Sequence, residues 1–547
     1  MHDHHPEITD DEAGLVFDLS RPEAYSHSAD PVTRIETHTA NVFLAGPFAY
    51  KVKKAVDFGF CDFSTREKRR HFTFRELELN QALSDGVYLG VSKVNRNRDG
   101  RHTIDGPGET VEHALRMRRL AAGDSLDSLI GSGAVDAATM RAVARRIAGF
   151  HMAAAAPGPG THYWSLPTVR RAVMSNVHRA EEFAGEFVDA AAIASVRGYS
   201  DAWLLERGAL VDARHRRGAP RECHGDLHAG NIFLEHTGRE PRIQVIDCIE
   251  FNDNLRIIDP IADIAFLLMD LRRFRRPDLA EAFLTEYLRE IGDAAGPPML
   301  PFYSVYRATV RCMAGGLIAR SADALRRSDA IAAARSYLGV ASGFMAEELP
   351  PRLLVVMSGM TGVGKSTVAR LLANAWDLEH LQTDVIRKEL AGLSPTARTS
   401  GGVRRGIYSR RMSQRTYAEM EARAVRALES RRGAVLDGTY LGRGYRTRAV
   451  ELGRNTGAMV IIVECTLSEE SAMQRLAARY FSGKGESEGR PEVYAMQKPQ
   501  WERVADDEAD GVARVNTGHA SSKLPVHVFR EAWGAALRAT STTRPAS

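Results

Sequence analysis

Two glycine-containing motifs constrain this chain more than any other feature of its sequence. One runs HGDLHAGN from His224 to Asn231, and the other runs GMTGVGKS from Gly359 to Ser366. Both patterns are typical of loops that act on phosphate groups, but they occur in unrelated folds. A chain that carries both is therefore predicted to contain two different phosphate-binding domains in tandem.

The second motif lies between a predicted strand and a predicted helix. It follows the apolar run from Leu353 to Met357 and precedes the helix-forming stretch from Val368 to Leu372. In such a loop the backbone N–H groups turn toward a phosphate chain, the lysine offers its charge to the β- and γ-phosphates, and the serine hydroxyl ligates Mg²⁺. The alternative is a glycine-rich turn with an incidental lysine. The predicted nucleotide-binding residues are Gly359, Thr361, Gly362, Val363, Gly364, Lys365, Ser366 and Thr367, of which Ser366 is also a predicted metal ligand.

The first motif has the spacing H-G-D-x-x-x-x-N, with Asp226 and Asn231 at its polar positions. An apolar strand follows, and Asp247 stands at its end. In phosphoryl-transfer sites of this spacing the Asp accepts the proton of the attacking hydroxyl, and the Asn and the later Asp hold Mg²⁺. The alternative is a turn with Asx capping. The second carboxylate favours the catalytic interpretation, because it falls where a metal ligand is needed.

Gly225 stands where protein kinases have the Arg of H-R-D. This pattern resembles the aminoglycoside phosphotransferase-like branch of the kinase fold, and the resemblance covers residues 35 to 345. That branch usually lacks the Gly of the D-F-G motif, and here Asp247 is followed by Cys-Ile-Glu. The resemblance implies that Asp263 ties the catalytic loop by hydrogen bonds. For Glu250, a contact with metal or substrate and a surface position both remain open.

The same resemblance implies a lysine on the third strand of the small lobe, which holds the α- and β-phosphates and pairs with a Glu of the next helix. Lys51, in the sequence AYK, is assigned this role. Lys53 lies two residues on and thus on the same strand face, so it stays an alternative. Glu76 is assigned as the partner, with Glu78 also on the predicted helix.

The C-terminal part alternates between predicted strands and helices. Apolar segments near 380–384, 433–438, 458–466 and 513–518 join the strand before the glycine-rich loop to give five strands. Such alternation is typical of a parallel α/β sheet of the P-loop NTPase type. Asp437 ends an apolar strand and is the predicted Walker B metal ligand. A structural role for this Asp is the alternative.

The segment QTDVIRKEL, which begins at Gln382, resembles small P-loop kinases of the gluconate-kinase, polynucleotide-kinase and zeta-toxin types. The resemblance covers about residues 352 to 540. It implies that Asp384 orients or deprotonates an acceptor hydroxyl and that Arg387, one turn later, steadies the acceptor or its phosphate. Arg475 and Arg479, four residues apart, are the candidate arginines that neutralise the transferring phosphoryl group. Taken together, both halves resemble proteins described as fused aminoglycoside phosphotransferase and AAA-type ATP-binding domains.

Length and composition agree with two globular domains. The 547 residues are 44% hydrophobic and 26% charged, and no apolar run reaches the length of a membrane span. The N-terminus lacks the basic and apolar regions of a secretory signal, so we expect a cytoplasmic protein with reduced cysteines. The predicted organisation is a flexible N-terminus over 1–30, a two-lobed α+β kinase-like domain over 31–348, an α/β P-loop domain over 352–540 and a flexible tail over 541–547.

The overall charge gives no strong indication of nucleic-acid binding, because 73 basic and 69 acidic residues leave a formal net charge of only +4. Local basic clusters are predicted either to be solvated helix faces or to bind an anionic substrate. One contains Arg404, Arg405, Arg410, Arg411 and Arg415, and the other contains Arg475, Arg479 and Lys484.

These observations predict a phosphotransferase that depends on ATP and Mg²⁺ and has two nucleotide sites. The expected reaction transfers the γ-phosphoryl group of ATP to a hydroxyl of a small molecule, without a membrane partner. The alternative is a regulatory protein in which one or both domains bind ATP as a switch. Asp226 disfavours that alternative for the first domain, because ATP binding alone needs no base. A motor or assembly ATPase is a third interpretation, and no ring-ATPase sensor pattern supports it.

Overall fold

The computed structural model describes residues 10–158, 160–235, 241–321, 324–394, 397, 406–430, 433–482 and 490–543. The chain divides into two compact units that are interleaved in sequence. The first unit contains residues 1–172 and 210–307, and the second contains residues 173–209 and 308–547.

The first unit begins with an antiparallel sheet of six strands in the order β1-β2-β3-β6-β4-β5. The hairpin between β2 and β3 turns at Gly46, whose φ of 56° favours glycine. The elements are α1 Asp10–Leu19, β1 Val32–Glu36, β2 Ala40–Ala45, β3 Phe48–Lys53, α2 Arg66–Asn80, β4 Tyr88–Arg96, β5 His102–Ile104 and β6 Glu109–Arg118.

The prediction of a flexible segment over residues 1–30 is wrong for residues 10–30. Helix α1 occupies Asp10–Leu19, and Leu19 is fully buried in a cluster that includes Phe43 and Tyr50. The Asp18 carboxylate also accepts from the backbone N–H of His102 at 2.8 Å. The segment is acidic on average, but the residues near Leu15 and Leu19 form an apolar face. Burial of that face stabilises the helix.

Helices and two short strand pairs, β7 with β10 and β8 with β9, make up the following part of the chain. The hairpin of β8 and β9 separates Asn231 from Asp247, and the pairing of Ile232 with Val245 brings both residues to the same end of the hairpin. The elements are α3 Leu126–Gly131, α4 Ala137–Ala153, α5 Leu166–Glu181, α6 Ala190–Glu206, α7 Gly208–Arg216, β7 Arg221–Glu222, β8 Ile232–Glu235, β9 Arg242–Val245, α8 Asp253–Arg256, β10 Ile257–Ile258, α9 Pro260–Arg273, α10 Pro277–Ile291, α11 Leu300–Ser321 and α12 Ala324–Glu347.

The second unit contains the five-stranded parallel sheet that the sequence predicts, and its strands have the order β12-β13-β11-β14-β15. The glycine-rich loop follows the central strand β11 at the carboxyl edge of the sheet, which is where open α/β sheets bind ligands. The elements are β11 Leu353–Ser358, α13 Lys365–Ala375, β12 Glu379–Gln382, α14 Thr383–Leu390, α15 Arg410–Glu429, β13 Ala434–Asp437, α16 Arg443–Asn455, β14 Met459–Thr466, α17 Glu469–Ser482, α18 Pro491–Gln497, β15 Gly511–Asn516 and α19 Leu524–Thr543.

Helix α6 packs closely on α19 within the second unit. A Cβ atom at Gly198 would lie only 2.5 Å from the Cβ of Phe529, so this approach requires glycine. The rings of Tyr199 and Trp533 meet edge to face with centroids 5.0 Å apart. A helix from the middle of the chain thus belongs to the same compact unit as the parallel sheet.

Two expectations from composition concern thiols and membrane spans. All five cysteines are buried and free, which agrees with their assignment as reduced thiols. Among the residues that the structure describes, no helix has both the length and the apolar character needed to cross a membrane.

Candidate active sites

The catalytic loop of the first unit, residues 223–231, connects β7 to β8 and is fixed by a buried carboxylate. Asp263, in the first turn of α9, accepts from the backbone N–H groups of His224 and Gly225 at 2.9 and 2.8 Å. This contact confirms the supporting role that the resemblance implies for Asp263. Gly225 has a φ of 86°, and a Cβ there would lie 2.8 Å from the carbonyl oxygen of Leu255. The loop therefore has no room for the Arg of the protein kinase motif.

A buried cluster of His151, Cys223 and Asp263 lies behind this loop and has the composition of a metal site. Its side chains already have partners, since the ring nitrogens of His151 contact the Asp263 carboxylate at 3.1 Å and the Tyr287 hydroxyl at 2.8 Å. We therefore interpret the cluster as support for the catalytic loop.

Asp226 and Asn231 lie together at the open side of the catalytic loop. The amide nitrogen of Asn231 donates to the backbone oxygen of Asp226 at 3.0 Å and lies 3.4 Å from its Oδ2. The ring of His228 is 3.6 Å from the same Oδ2, and the Asp226 side chain is 32% exposed. A solvent-borne hydroxyl can therefore reach this carboxylate.

Lys51 links the small-lobe sheet to the strand-end carboxylate. Its Nζ donates to Glu76 Oε1 at 2.7 Å and to Asp247 Oδ1 at 2.5 Å. The structure thus brings Glu76 to Lys51, whereas Glu78 is exposed and pairs with Arg75. The structure therefore brings together the predicted phosphate-binding lysine, Lys51, its predicted partner, Glu76, and a predicted metal ligand, Asp247.

Electrostatics keep Asp247 ionised. Burial alone would raise the pKa of this carboxyl, but the charge of Lys51 and its hydrogen bond outweigh burial and lower the pKa to about 2. The backbone of Asp247 is left-handed, with a φ of 65°, and such conformations of non-glycine residues cluster at functional sites. Carboxylate and amide oxygens are the ligands that Mg²⁺ prefers, so Asp247 and Asn231 fit this ion.

The pH dependence of stability is expected to follow this shift. The folded-state pKa of about 2 lies below the ordinary 3.8, so the stabilisation is present above pH 3.8 and is lost as the pH falls toward 2. We expect the difference in melting temperature between the wild type and Asp247→Asn to be constant from pH 8 to pH 5 and to change only below about pH 4. Differential scanning fluorimetry over that range measures it, and a change between pH 8 and pH 5 would contradict the assignment.

The sequence does not reveal the partners of Lys53. This lysine donates to Glu76 Oε2 at 2.7 Å and also to Glu250 Oε1. Burial raises the pKa of Glu250, and the charge of Lys53 opposes that shift. Glu250 is thus neither a surface carboxylate nor a free metal ligand. The spacing of Lys51 and Lys53 places both lysines on one strand face, but it does not predict which carboxylates Lys53 contacts.

The loop of the second unit has the backbone that phosphate binding requires. Gly359, Gly362 and Gly364 have φ values of 139°, 79° and 95°, and a Cβ at Gly359 would lie 2.5 Å from the Cys465 carbonyl oxygen. Lys365 donates to the Met360 carbonyl at 2.8 Å. Burial lowers the pKa of Lys365, and the nearby Asp437 charge opposes this. Thr361, Val363, Ser366 and Thr367 complete the loop and the first turn of α13.

Asp437 ends strand β13 beside the loop, as predicted for a Walker B acid. It is buried, and its Oδ2 lies 3.1 Å from Nε2 of His380, a contact that the sequence does not reveal. Its register partner is Gln382, the last residue of β12. Ser366 and Asp437 supply hydroxyl and carboxylate oxygens, so this donor set also suits Mg²⁺.

Helix α14 carries Asp384 and Arg387, the two residues that are predicted to act on the acceptor substrate. Arg387 donates to Asp384 Oδ1 at 2.7 Å, and its guanidinium lies 4.9 Å from the centroid of the Tyr408 ring. The two residues therefore form one charged pair on a single helix face.

The candidate arginines of α17 lie beside the glycine-rich loop. Arg475 donates to the Thr517 hydroxyl at 3.1 Å and to its carbonyl at 2.7 Å, while that hydroxyl donates to the Val363 carbonyl at 2.5 Å. The charge of Arg479 contributes to the lowered pKa of Lys365. Arg475 thus braces the loop through Thr517, a residue that no sequence motif identifies.

Gln497, the last residue of α18, also contacts the loop. Its Oε1 accepts from the backbone N–H of Thr361 at 2.7 Å. This contact crosses 136 residues of sequence, so no local pattern predicts it.

The first basic cluster forms exposed helix surface where the structure describes it, whereas Arg475 of the second cluster contacts Thr517 beside the glycine-rich loop. Arg410, Arg411 and Arg415 are exposed in the first turns of α15. Arg404, Arg405 and Lys484 lie outside the described residues.

Comparisons with known proteins match two different domain families to two parts of the chain. A model of the phosphotransferase enzyme family matches residues 75–301, and a model of an AAA domain matches residues 354–504. "Uncharacterized protein Rv2004c" of Mycobacterium tuberculosis and "Uncharacterized protein Mb2027c" of Mycobacterium bovis are each 30% identical over 506 residues, which cover 91% of this chain and 95% of each relative.

Solved structures show weaker likeness. The GDP complex of wild-type aminoglycoside 2'-phosphotransferase-IIIa is 16% identical and covers 57% of this chain and 94% of its own, with a TM-score of 0.37. A gluconokinase from Sinorhizobium meliloti is 19% identical and covers 34% of this chain and 94% of its own, with a TM-score of 0.24. On the family models and the mycobacterial relatives, the chain belongs to the family of fused proteins that join an aminoglycoside phosphotransferase-like kinase domain to a P-loop ATP-binding domain.

Proposed function

We propose that the protein is a phosphotransferase that transfers the γ-phosphoryl group of ATP to a hydroxyl of a small molecule in its first unit. The observation that carries the proposal is the meeting of Lys51 with Glu76 and Asp247 in the unit that also presents Asp226 and Asn231 together. Phosphoryl transfer needs mainly positioning and charge neutralisation, and these residue types supply both.

Each residue of the first site has a separate task. Asp226 accepts the proton of the acceptor hydroxyl, and the accessible position of its carboxylate supports that role. Asn231 and Asp247 would hold Mg²⁺, which supplies positive charge to the phosphates. Lys51 binds the phosphates, because it is 13% exposed and already contacts the strand-end carboxylate. Lys53 is only 2% exposed, which disfavours it for that contact.

We assign ATP binding to the second unit as well. Backbone N–H groups of the glycine-rich loop and the Lys365 charge suit a triphosphate, and Ser366 with Asp437 would hold its Mg²⁺. Asp384 faces the acceptor and is oriented by Arg387. Arg475 and Arg479 add positive charge near the transferring group.

A nucleotide-dependent switch is the second candidate function for this unit. The contact between Gln497 and the Thr361 N–H favours it, because a phosphate that takes this donor would release Gln497 and with it the end of α18. In that case ATP occupancy would change the position of α18 without any acceptor.

The experiment that tests the proposal measures ADP formation with a panel of acceptor alcohols. The panel contains aminoglycosides, choline, sugars, amino alcohols and nucleosides, and the proteins are the wild type, Lys51→Met and Lys365→Ala. We expect at least one acceptor class to stimulate ADP formation, and we expect Lys51→Met to abolish that activity. Lys365→Ala should either abolish the activity with another acceptor class or leave ADP formation unchanged. ADP formation that no acceptor stimulates, together with ATP-dependent release of α18, would favour the switch.

A further inference from the structure

Two lysines and three carboxylates form one chain of ion pairs in the first unit. Along this chain the charges alternate in sign, and each lysine contacts two carboxylates. The order of the chain is Asp247, Lys51, Glu76, Lys53 and Glu250. Glu76 is its centre, because one of its oxygens accepts from Lys51 and the other from Lys53.

Lys53 is enclosed on its remaining side by aromatic rings. Its Nζ lies 4.6 Å from the centroid of the Phe63 ring, a cation–π distance. Phe63 in turn packs edge to face against Phe251, the residue after Glu250, with centroids 6.1 Å apart. The Lys53 side chain is only 2% exposed, which disfavours it as a contact of bound ATP, whereas Lys51 is 13% exposed.

We propose that Lys53 is a positioning residue for the nucleotide site, an inference that rests on the proposed function of that site. By holding one oxygen of Glu76, Lys53 fixes the direction of the other oxygen and so the place of Lys51. By pairing with Glu250, it also ties the segment that follows Asp247 to strand β3.

The ion pair between Lys53 and Glu250 matters when ATP binds. With Mg·ATP bound, Lys51 would turn toward the phosphates and Asp247 would hold the metal, so the ion pair between these two residues would weaken. Of the ion pairs that join β3 to residues 247–250 in the described part of the chain, the pair of Lys53 and Glu250 is not used by the nucleotide. It keeps Asp247 at a fixed distance from the strand while Lys51 changes partner.

The test separates this role from a role in folding. All variants carry Lys365→Ala, so that only the first site binds nucleotide, and calorimetry measures the Kd of a magnesium complex of a non-hydrolysable ATP analogue. Lys53→Met alone would leave the buried Glu250 carboxylate without its partner, so it is combined with Glu250→Gln. The positioning role predicts that this double variant melts close to the parent but binds the analogue at least about tenfold more weakly, equivalent to 1.4 kcal/mol.

A mutant cycle with Lys51→Met shows whether Lys53 acts through Lys51. If it does, adding the Lys53→Met and Glu250→Gln pair to Lys51→Met gives no further loss of affinity. Lys54→Met is the matched control, because Lys54 points to Glu36 and the Thr37 carbonyl, and we expect parental affinity.

Each outcome decides between the claims. A parent that binds no analogue at the first site would overturn the proposed function itself. A folded double variant with parental affinity, or additive losses in the cycle, would overturn the positioning role alone. If the Met variant does not fold, Lys53→Gln with Glu250→Gln replaces it, since two amides can hydrogen-bond each other. Failure of both pairs to fold would show that Lys53 serves the fold and would also overturn the proposal.

Discussion

Replacing Asp226 by Asn is expected to lower kcat at the first site by about 10²- to 10⁴-fold while leaving the affinity for Mg·ATP close to that of the parent. The amide keeps the shape of the side chain but cannot accept the proton of the attacking hydroxyl. The loop should stay in place, because Asn231 donates to the backbone oxygen of residue 226 and Asp263 holds the preceding N–H groups. Acceptor-dependent ADP formation and calorimetry, both in the Lys365→Ala background, measure the two quantities.

Asp278→Asn is a suitable control for this substitution. Asp278 lies on the surface of the same unit and pairs with Arg276, so its loss should leave both turnover and affinity unchanged. Asp226→Asn with turnover within about twofold of the parent would contradict the role of Asp226 as the base. Lost affinity together with lost turnover would instead assign Asp226 to nucleotide binding.

Arg446→Met is expected to reduce the stability of the second unit by about 3–5 kcal/mol. The Arg446 guanidinium is fully buried and forms a bidentate pair with Glu508 at 2.6 and 3.0 Å. It also donates to the carbonyl oxygens of Tyr440, Leu441 and Glu502, each at 3.0 Å. Removing it leaves the buried Glu508 carboxylate without its cation and takes one donor from each of three carbonyl groups, which is the costly way to break a buried ion pair.

Tryptophan fluorescence during urea unfolding measures this effect, because four of the five tryptophans belong to the second unit. Arg448→Met is the matched control on the same helix. Arg448 is 66% exposed and pairs with Glu421, so its loss should cost less than about 1 kcal/mol. Equal unfolding midpoints for Arg446→Met and Arg448→Met would show that the buried network does not stabilise the unit.

Local patterns were sufficient to predict the main parts of both sites. The glycine-rich loop and the strand-end positions of Asp247 and Asp437 depend on short stretches of chain, and the structure has them where the sequence places them. The support of the catalytic loop by Asp263 was also predictable, since it followed from the resemblance to a known branch of the kinase fold.

Contacts between distant segments could not be predicted in the same way. Lys53 meets Glu250 across 197 residues, and Gln497 meets Thr361 across 136. Such pairs depend on how strands and helices come together in three dimensions, and neither Lys53 nor Gln497 belongs to a motif. Helix α1 was missed for another reason, because its acidic residues dominate the composition while its few apolar residues decide its packing.

Isothermal titration calorimetry of the intact protein with a magnesium complex of a non-hydrolysable ATP analogue tests the central claim most directly. The account predicts two bound analogues per chain, one lost in Lys51→Met and the other lost in Lys365→Ala. One bound analogue or none in the wild type, or the loss of both in either single variant, would contradict the presence of two separate nucleotide sites.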